Sequence, residues 1–418
     1  MRNSEIKSIK AREILDSKGS PTVEVDLATD EGVFRASVAS GTSKGKYEAL
    51  ELRDGGKRYN GMGVLKAVKN VNEIIAPKLV GKDPSNQKEI DDLMIELDET
   101  ENKSNLGTNA VLPVSIAVCR AGAKSKNSPL YKYISDLYKE EKGHYIVPSP
   151  CVLMIEGGLH AGNKLDIQEF MIVLEADSFK EKLRIGTEIY HSLGPILKEK
   201  FGNVATNVGL EGGFAPPLFQ SQKALDLIIE AIDKAGYKNT VKLVLDVAAS
   251  HFYKDWVYQF EGRAFTKEGL LNFYSEIIKN YPILGIEDPF EQEDFEGFRE
   301  ISKEWGEKII IIGDDLLVTN IERIKKAIEE ETCSGLIVKP NQIGTITETI
   351  EAVKMAKKVG WEVFVKHRAG ETNDAFIADL AVGLGAKYIM TGAPARGERV
   401  AKYNRLLRIE EELVNSKQ

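Results

Sequence analysis

The sequence predicts an α/β protein in which a small N-terminal α+β domain is followed by a larger C-terminal barrel of alternating strands and helices. Three observations support this fold class. The chain has 418 residues, of which 42% are hydrophobic, enough for a large core. Up to about residue 125, strand-like and helical patterns come as separate groups. From about residue 240, short β-branched runs alternate with helix-length amphipathic segments.

The N-terminal pattern begins with a hairpin. Residues 20–40 alternate apolar and polar side chains around an Asp-Glu-Gly turn, which predicts two antiparallel strands. Three helical patterns follow, over residues 63–80, 86–99 and 108–125. A charged stretch with a glycine and two prolines at 136–150 then indicates a domain boundary. We therefore expect an N-terminal domain at 1–137 and a catalytic barrel at 138–418.

The C-terminal pattern contains six strand-like runs: KLVLDV, ILGIED, IIIIGDD, GLIVK, VFVKH and KYIMT. Near their C-terminal ends lie, in chain order, Asp246, Glu287, Asp314, Lys339, Lys366 and Met390. These positions are 24 to 41 residues apart, which is the length of a strand–helix unit between parallel strands. Charged residues at successive strand ends are typical of the active face of a βα barrel. A doubly wound open sheet gives the same alternation, but it predicts a glycine-rich phosphate turn that the sequence lacks.

The composition limits the possible binding partners and the cellular compartment of the protein. The net charge of −8 argues against non-specific binding to nucleic acid, although a local basic cluster can still bind a small anion. The three cysteines show no metal-binding spacing, which fits a reducing compartment. The N-terminus lacks the apolar segment of a signal peptide, and no apolar run approaches the ~20 residues of a membrane span. We expect a cytoplasmic protein with neither a membrane nor a nucleic-acid partner.

The strand ends predict a metal centre. Asp246, Glu287 and Asp314 would converge from neighbouring strands, and such like charges repel unless a cation lies between them. Hard oxygen ligands suit Mg²⁺ far better than zinc. A single aspartate or glutamate would more often be a helix cap or half of a surface ion pair. Three at matching strand ends favour the metal.

Proton-transfer groups are also present. Lys339 would lie among carboxylates and metal, where it can act as a base if its neighbours lower its pKa. The alternative is an ordinary lysine on the protein surface. Glu211 lies in VGLEGGFAPP, whose glycines and prolines indicate a fixed loop, and is a candidate acid. Together with a divalent metal, these groups indicate proton abstraction beside a carboxylate and departure of a leaving group. In VFVKHRAGETND, three potential cations indicate either an anion site or a solvated loop.

The chain resembles the enolase family over nearly its whole length. The matching stretches are AREILDSKGSPTVEVD, YEALELRD, LDIQEFMI, VGLEGGFAPP, DVAAS, IEDPFEQEDFEGF, GDDLLVTN, NQIGTITET, HRAGET and TGAPARGERVAKYNRLLRIEEEL. The resemblance implies an N-terminal domain capping a modified βα barrel, in a homodimer or a larger assembly of dimers. It also implies dehydration of 2-phosphoglycerate to phosphoenolpyruvate with two Mg²⁺ ions per active site.

The resemblance assigns roles to individual residues. It implies that Lys339 is the base and Glu211 the acid, with Glu169 of QEF supporting it. The residues implied at the metals are Asp246, Glu287 and Asp314 for the first ion and Ser43, in the mobile loop SGTSKG, for the second. Those implied against the substrate are His160, His367 and, at the phosphate, Arg368.

Several positions depart from the family pattern. Lys366 and Ala369 replace serines, so a hydroxyl that helps to bind phosphate is lost at Ala369. Met390 replaces a lysine that contacts the substrate, and we expect the Lys366 ammonium to lie near the space this leaves. The other departures are Glu156 for Asn, Leu210 for Asp, His251 for Glu and Lys44 for Thr. Leu210 removes a carboxylate beside the acid and leaves Glu211 less crowded by negative charge.

Two interpretations of these departures compete. Either the substrate shell has been remodelled around a working site, or the site has decayed. Because the base, the acid and all three carboxylates remain, we expect an active lyase that acts on a small phosphorylated carboxylic acid. Its expected substrate is 2-phosphoglycerate. The alternatives are an enolase paralogue acting on a related phospho- or phosphono-carboxylate, and a non-catalytic binding protein.

Overall fold

The computed structural model describes residues 5–138, 145–238 and 240–415. Residues 139–144, within the predicted boundary stretch, lie outside the described part of the chain. The predicted fold class is confirmed: a closed eight-stranded barrel follows a smaller domain that carries its own sheet.

The N-terminal domain packs helices against one antiparallel sheet. Its strands are β1 Ser8–Leu15, β2 Pro21–Thr29 and β3 Gly32–Ser37, in that order. Its helices are α1 Leu65–Asn70, α2 Ala76–Leu79, α3 Gln87–Asp98, α4 Thr108–Ser125 and α5 Leu130–Tyr138, with a π-helical segment, Val71–Ile75, joining α1 to α2. The predicted hairpin and the three helical patterns are confirmed, and the largely buried α4 packs on β2 and β3. Strand β1 was not predicted, because only its first half alternates between exposed and buried side chains.

Eight strands close the barrel. They are β4 Ser149–Glu156, β5 Glu169–Leu174, β6 Val241–Asp246, β10 Ile283–Glu287, β11 Ile310–Gly313, β12 Gly335–Val338, β13 Glu362–Lys366 and β14 Tyr388–Met390, in that order around it. A separate small sheet is formed by β7 Tyr253–Lys254, β8 Val257–Phe260 and β9 Arg263–Phe265. The six predicted runs correspond to β6 and β10–β14. Their near-complete burial fits strands that are covered on both faces.

The remaining helices belong to the barrel domain. They are α6 Phe179–Phe201, α7 Ser221–Ala235, α8 Lys267–Asn280, α9 Phe295–Trp305, α10 Ile321–Glu329, α11 Pro340–Ile343, α12 Ile346–Lys358, α13 Phe376–Gly383 and α14 Gly397–Asn415. Of the helices in the described residues, none is long and apolar enough to cross a membrane.

The barrel differs from a regular parallel one at β5, which runs antiparallel to both β4 and β6. Strands β4 and β5 escaped sequence prediction because no full helix separates them, so the strand–helix period is missing. The reversal has a consequence for the site. It places the first residue of β5, Glu169, opposite Asp246 at the end of β6 and opposite Glu156 at the end of β4.

The N-terminal domain contributes to the same end of the barrel. Ser40, just after β3, forms a two-way backbone bridge with Gly370, just after β13, with N···O distances of 2.7 and 2.9 Å. The segment after Ser40 therefore lies against the mouth where the strand ends carry their charged residues.

Candidate active site

The charged strand ends meet in one buried cluster. Glu169, Asp246 and Glu287 lie on the adjacent strands β5, β6 and β10, and each is at most 2% exposed. Asp314 and Lys339 immediately follow β11 and β12, and both are 6% exposed. Such burial makes every unpaired charge costly, so the contacts among these groups decide what the site can do.

Lys366 occupies the centre of the carboxylate cluster. Its Nζ lies 2.8 Å from Asp246 Oδ2 and 2.8 and 2.9 Å from the two oxygens of Glu287. Glu169 Oε1 lies 3.1 Å away. The ammonium of Lys366 is thus inside the site. It extends from β13 across the barrel mouth to the carboxylates on β5, β6 and β10. Met390, its neighbour in register on β14, is fully buried and offers no charge there.

Lys339 is paired with Asp314. Its ammonium hydrogen-bonds Asp314 Oδ2, while Oδ1 of the same carboxylate accepts from the amide of Gln342 at 2.8 Å. Burial lowers the pKa of Lys339, but its carboxylate neighbours, Asp314 above all and then Glu287, together outweigh it, and the net pKa lies above the ordinary value. The lowered pKa expected of a base is therefore absent while Asp314 faces the amine.

The candidate acid faces two histidines. Glu211 Oε2 lies 3.1 Å from His367 Nε2, and Glu211 Oε1 lies 3.5 Å from His160 Nδ1. Burial lowers the pKa of both imidazoles to about 4, which leaves them neutral near pH 7. Neither ring nitrogen of His160 makes a hydrogen bond. A buried ring without partners, beside Glu211 and Glu169, is the arrangement expected of a ligand-facing group.

Glu156 brings a carboxyl group to the place beside Glu211 where Leu210 removes one. Its Oε1 accepts hydrogen bonds from the backbone N–H groups of Glu211 and Gly213, both at 2.8 Å. Burial and the charge of Glu211 raise the pKa of Glu156 to about 8. A Cβ at Gly209 would lie 1.8 Å from Glu156 Oε2, so only glycine fits beside this carboxylate.

The carboxyl groups beside the acid bind protons more tightly than a free glutamate does. Burial and the charge of Glu211 also raise the pKa of Glu169 above its ordinary value. Burial raises the pKa of Glu211, but His367 and His160 together outweigh it, and the net pKa lies below the ordinary value. Protons in this cluster therefore bind more readily to Glu156 and Glu169 than to Glu211.

The basic side chain expected at the phosphate is buried and paired. The guanidinium of Arg368 donates to both oxygens of Glu48, at 2.9 and 3.1 Å, and to Asn341 Oδ1 at 3.2 Å. It also donates to the carbonyl of Ser43 at 2.9 Å, which is the contact that the SGTSKG loop makes with this residue. A Cβ at Gly41 would lie 1.9 Å from Arg368 Nη2, so the loop approaches this closely only with glycine.

The residue that holds His367 in place was not predicted from the sequence. Arg399, fully buried on α14, donates at 2.6 Å to both His367 Nδ1 and the carbonyl of Arg368. It also donates to the carbonyls of Leu210 and Ala369, at 3.1 and 2.7 Å. Burial at position 399 was the missing signal, because a single arginine within the charged stretch ARGERVAKYNR has no distinguishing pattern.

The donor set partly fits a divalent cation. In the part of the chain that the structure describes, two groups bring ligand atoms within 4.8 Å of one another: His160 with Glu169 and Glu211, and Asp288 with Asp314 and Asp315. The predicted trio of Asp246, Glu287 and Asp314 does not form such a group. Its carboxylates are of the right chemistry for Mg²⁺, but lysine ammonium groups contact all three.

The fold and this site define a two-domain α/β-barrel enzyme in which buried carboxylates, a lysine and a glutamate converge at the barrel mouth. Family models for "Enolase, N-terminal domain" and "Enolase, C-terminal TIM barrel domain" match residues 6–134 and 144–418. Proteins named enolase from Solanum lycopersicum and Methanocaldococcus jannaschii are both 54% identical to this chain, over 98% and 99% of it and 95% and 96% of their own lengths. An enolase from Eimeria tenella is 53% identical over 98% of the chain and 96% of its own length.

The chain belongs to the enolase family, and it is a lyase. Members of this family work with a divalent metal.

Proposed function

We infer that this chain dehydrates 2-phosphoglycerate to phosphoenolpyruvate in a Mg²⁺-dependent reaction. One observation carries the inference: the expected base, acid and carboxylates are all kept and buried at one barrel mouth, in a chain at least 53% identical to proteins named enolase. No observation favours another phospho- or phosphono-carboxylate or a non-catalytic role, so we propose neither.

The chemistry assigns separate tasks to Lys339 and Glu211. Lys339 takes the proton from the carbon beside the substrate carboxylate, once the charge of Asp314 no longer raises the pKa of its amine. The electron pair of the broken C–H bond forms the new double bond. Glu211 gives a proton to the departing hydroxyl, which leaves as water, and Glu169 is its nearby proton partner.

We propose that Asp246, Glu287 and Asp314 hold one Mg²⁺ and that Ser43 helps to hold a second. A bound Mg²⁺ stabilises negative charge on the substrate carboxylate as its neighbouring proton leaves. Arg368 binds the phosphate, and His160 and His367 contact the substrate. Ala369 contributes no hydroxyl to this shell, and Lys366 adds positive charge beside it.

The cellular setting is proposed on the same basis. We propose that the reaction serves as a step of glycolysis and gluconeogenesis and that the chain works in the cytoplasm. We propose a homodimer or a higher assembly of dimers. The negative net charge and the absence of a membrane-spanning helix among the described residues support a small-molecule partner over nucleic acid or membrane.

The direct test is absorbance of phosphoenolpyruvate formed from 2-phosphoglycerate with Mg²⁺. We expect turnover by the wild-type chain, and a loss of about 10²–10⁴-fold in Lys339→Met, the range for removing a general base. Lys354→Met, which removes a lysine paired with Glu351 on the surface of α12, is the matched control. A folded wild-type chain without turnover would refute the inference.

A further inference from the structure

We propose that the Lys366 ammonium is an internal cation that competes with divalent metal for Asp246 and Glu287. In this proposal, metal enters the carboxylate centre only as Lys366 leaves it. The proposal rests on the metal site of the proposed function and concerns how that site is controlled. The family resemblance gives no such role to this position, where it implies a serine.

The contacts of Lys366 are those of a bound cation. An ammonium has three N–H donors, and Lys366 makes hydrogen bonds to three carboxylate oxygens, one from Asp246 and two from Glu287. The carboxyl group of Glu169 is a fourth neighbour, with Oε1 at 3.1 Å. All four residues are at most 3% exposed, so water screens none of these charges. Lys366 therefore neutralises carboxylates that would otherwise repel one another.

Metal and ammonium exclude each other at these oxygens. Mg²⁺ binds oxygen at about 2.0–2.1 Å and accepts little distortion. Lys366 Nζ is 2.8 Å from oxygens of both Asp246 and Glu287, so a metal bridging them would meet the ammonium at van der Waals overlap and like charge. Asp246 Oδ2 also accepts from the amide of Gln168 at 3.1 Å, which holds this oxygen toward the lysine.

A small cavity lies beside Lys366. Lys366 and Arg368 both line this cavity, whose other walls include Asn341 and, from the N-terminal domain, Val38. Met390 lies opposite Lys366 on β14, and its unbranched side chain adapts to a moving neighbour. The lysine has four rotatable side-chain bonds, so the exchange requires rotamer changes without movement of β13.

Metal affinity measured without substrate tests the proposal. Mn²⁺, read out by the electron paramagnetic resonance signal of the free ion, serves as the probe, and Mg²⁺ is titrated against it. The proteins are the wild type, Lys366→Met, Lys366→Arg and Lys103→Met, which removes a buried lysine paired with Glu348 away from the strand ends. Asp246→Asn alters one of the proposed ligands, so the binding isotherm that weakens in this variant is the one that belongs to this centre.

We expect Lys366→Met to bind Mn²⁺ at this centre about tenfold more tightly or better, because a charge-assisted competitor is gone. Lys366→Arg keeps the charge and should bind no more tightly than the wild type, and Lys103→Met should match the wild type. Without metal, Lys366→Met should melt at a lower temperature than the wild type, and saturating metal should raise its melting temperature more. A Lys366→Met chain that folds only with metal present would equally support the competition.

Equal Mn²⁺ affinity in the wild type and Lys366→Met would overturn the competition alone and would leave Mg²⁺-dependent turnover intact. A lack of saturable Mn²⁺ binding in every variant would overturn the metal site of the proposed function, and this proposal with it.

Discussion

Replacing Glu156 by glutamine should stabilise the protein at alkaline pH and leave it unchanged at acid pH. The carboxyl has a folded-state pKa of about 8, against an ordinary value of 4.5. Between these values the folded chain keeps a proton that the unfolded chain has released. Stability from this group is therefore present below about pH 4.5 and is lost as pH rises through 8.

The size of the effect follows from the shift. Each pKa unit corresponds to about 1.4 kcal/mol, so a rise from 4.5 to about 8 sets an upper limit of about 5 kcal/mol. Glutamine keeps the side-chain oxygen that accepts from the N–H groups of Glu211 and Gly213, so these hydrogen bonds survive. The glutamine side chain cannot ionise, so the pH-dependent term of the Glu156 carboxyl is lost. The variant should gain at least about 1 kcal/mol over the wild type at pH 8.5 and show no gain at pH 5.

Urea unfolding at pH 5, 7 and 8.5 measures this difference through the transition midpoint. Glu268→Gln, in the exposed first turn of α8, controls for the loss of a negative charge. A pH-independent difference between Glu156→Gln and wild type would refute the reasoning, as would a loss of stability at pH 8.5.

Three further outcomes follow from the site. Arg368→Lys should raise KM for the phosphorylated substrate by about tenfold or more in steady-state kinetics, because lysine cannot make the planar bidentate hydrogen bonds of a guanidinium to phosphate. Arg399→Leu should lower the unfolding free energy in denaturant by about 3 kcal/mol or more, since it removes the donors to two buried carbonyls and one partly buried carbonyl; an unchanged midpoint would contradict this. Lys366→Ser should lower kcat/KM, and adding Met390→Lys should restore part of it, because the two positions are paired in register; no recovery in the double variant would count against charge compensation.

The sequence predicted the elements whose signal is local and periodic. Strands β6 and β10–β14 were found because each is an apolar run followed by a helix, and α4 because its apolar pattern spans the whole helix. The antiparallel β5 was not found, since its direction depends on which neighbours it pairs with. The charged residues at the strand ends were predicted because the strand–helix units recur at regular intervals along the chain. Glu169 and His160 came only from the family resemblance.

Contacts between distant segments were beyond the reach of sequence patterns. Arg399 holds the His367 ring from a helix that follows the last barrel strand, and Glu48 pairs with Arg368 from the other domain. Neither contact has a spacing that could be read along the chain. The position of the Lys366 ammonium is a further case, because a four-carbon side chain reaches several carboxylates and the final choice depends on three-dimensional packing.

Two exchanges of charge link the departures from the family pattern. The family's lysine is missing at Met390, but an ammonium enters the mouth from Lys366, directly opposite in register. The family's aspartate is missing at Leu210, but a carboxylate reaches the adjoining backbone N–H of Glu211 from Glu156. In each case the chemical group is kept while its origin moves to another segment of the chain. Random decay would leave such buried polar groups without partners, at a cost of about 1–3 kcal/mol each or more for a charged group. Their pairing therefore favours a site that was refitted as a unit, in which the new lysine also meets the metal ligands.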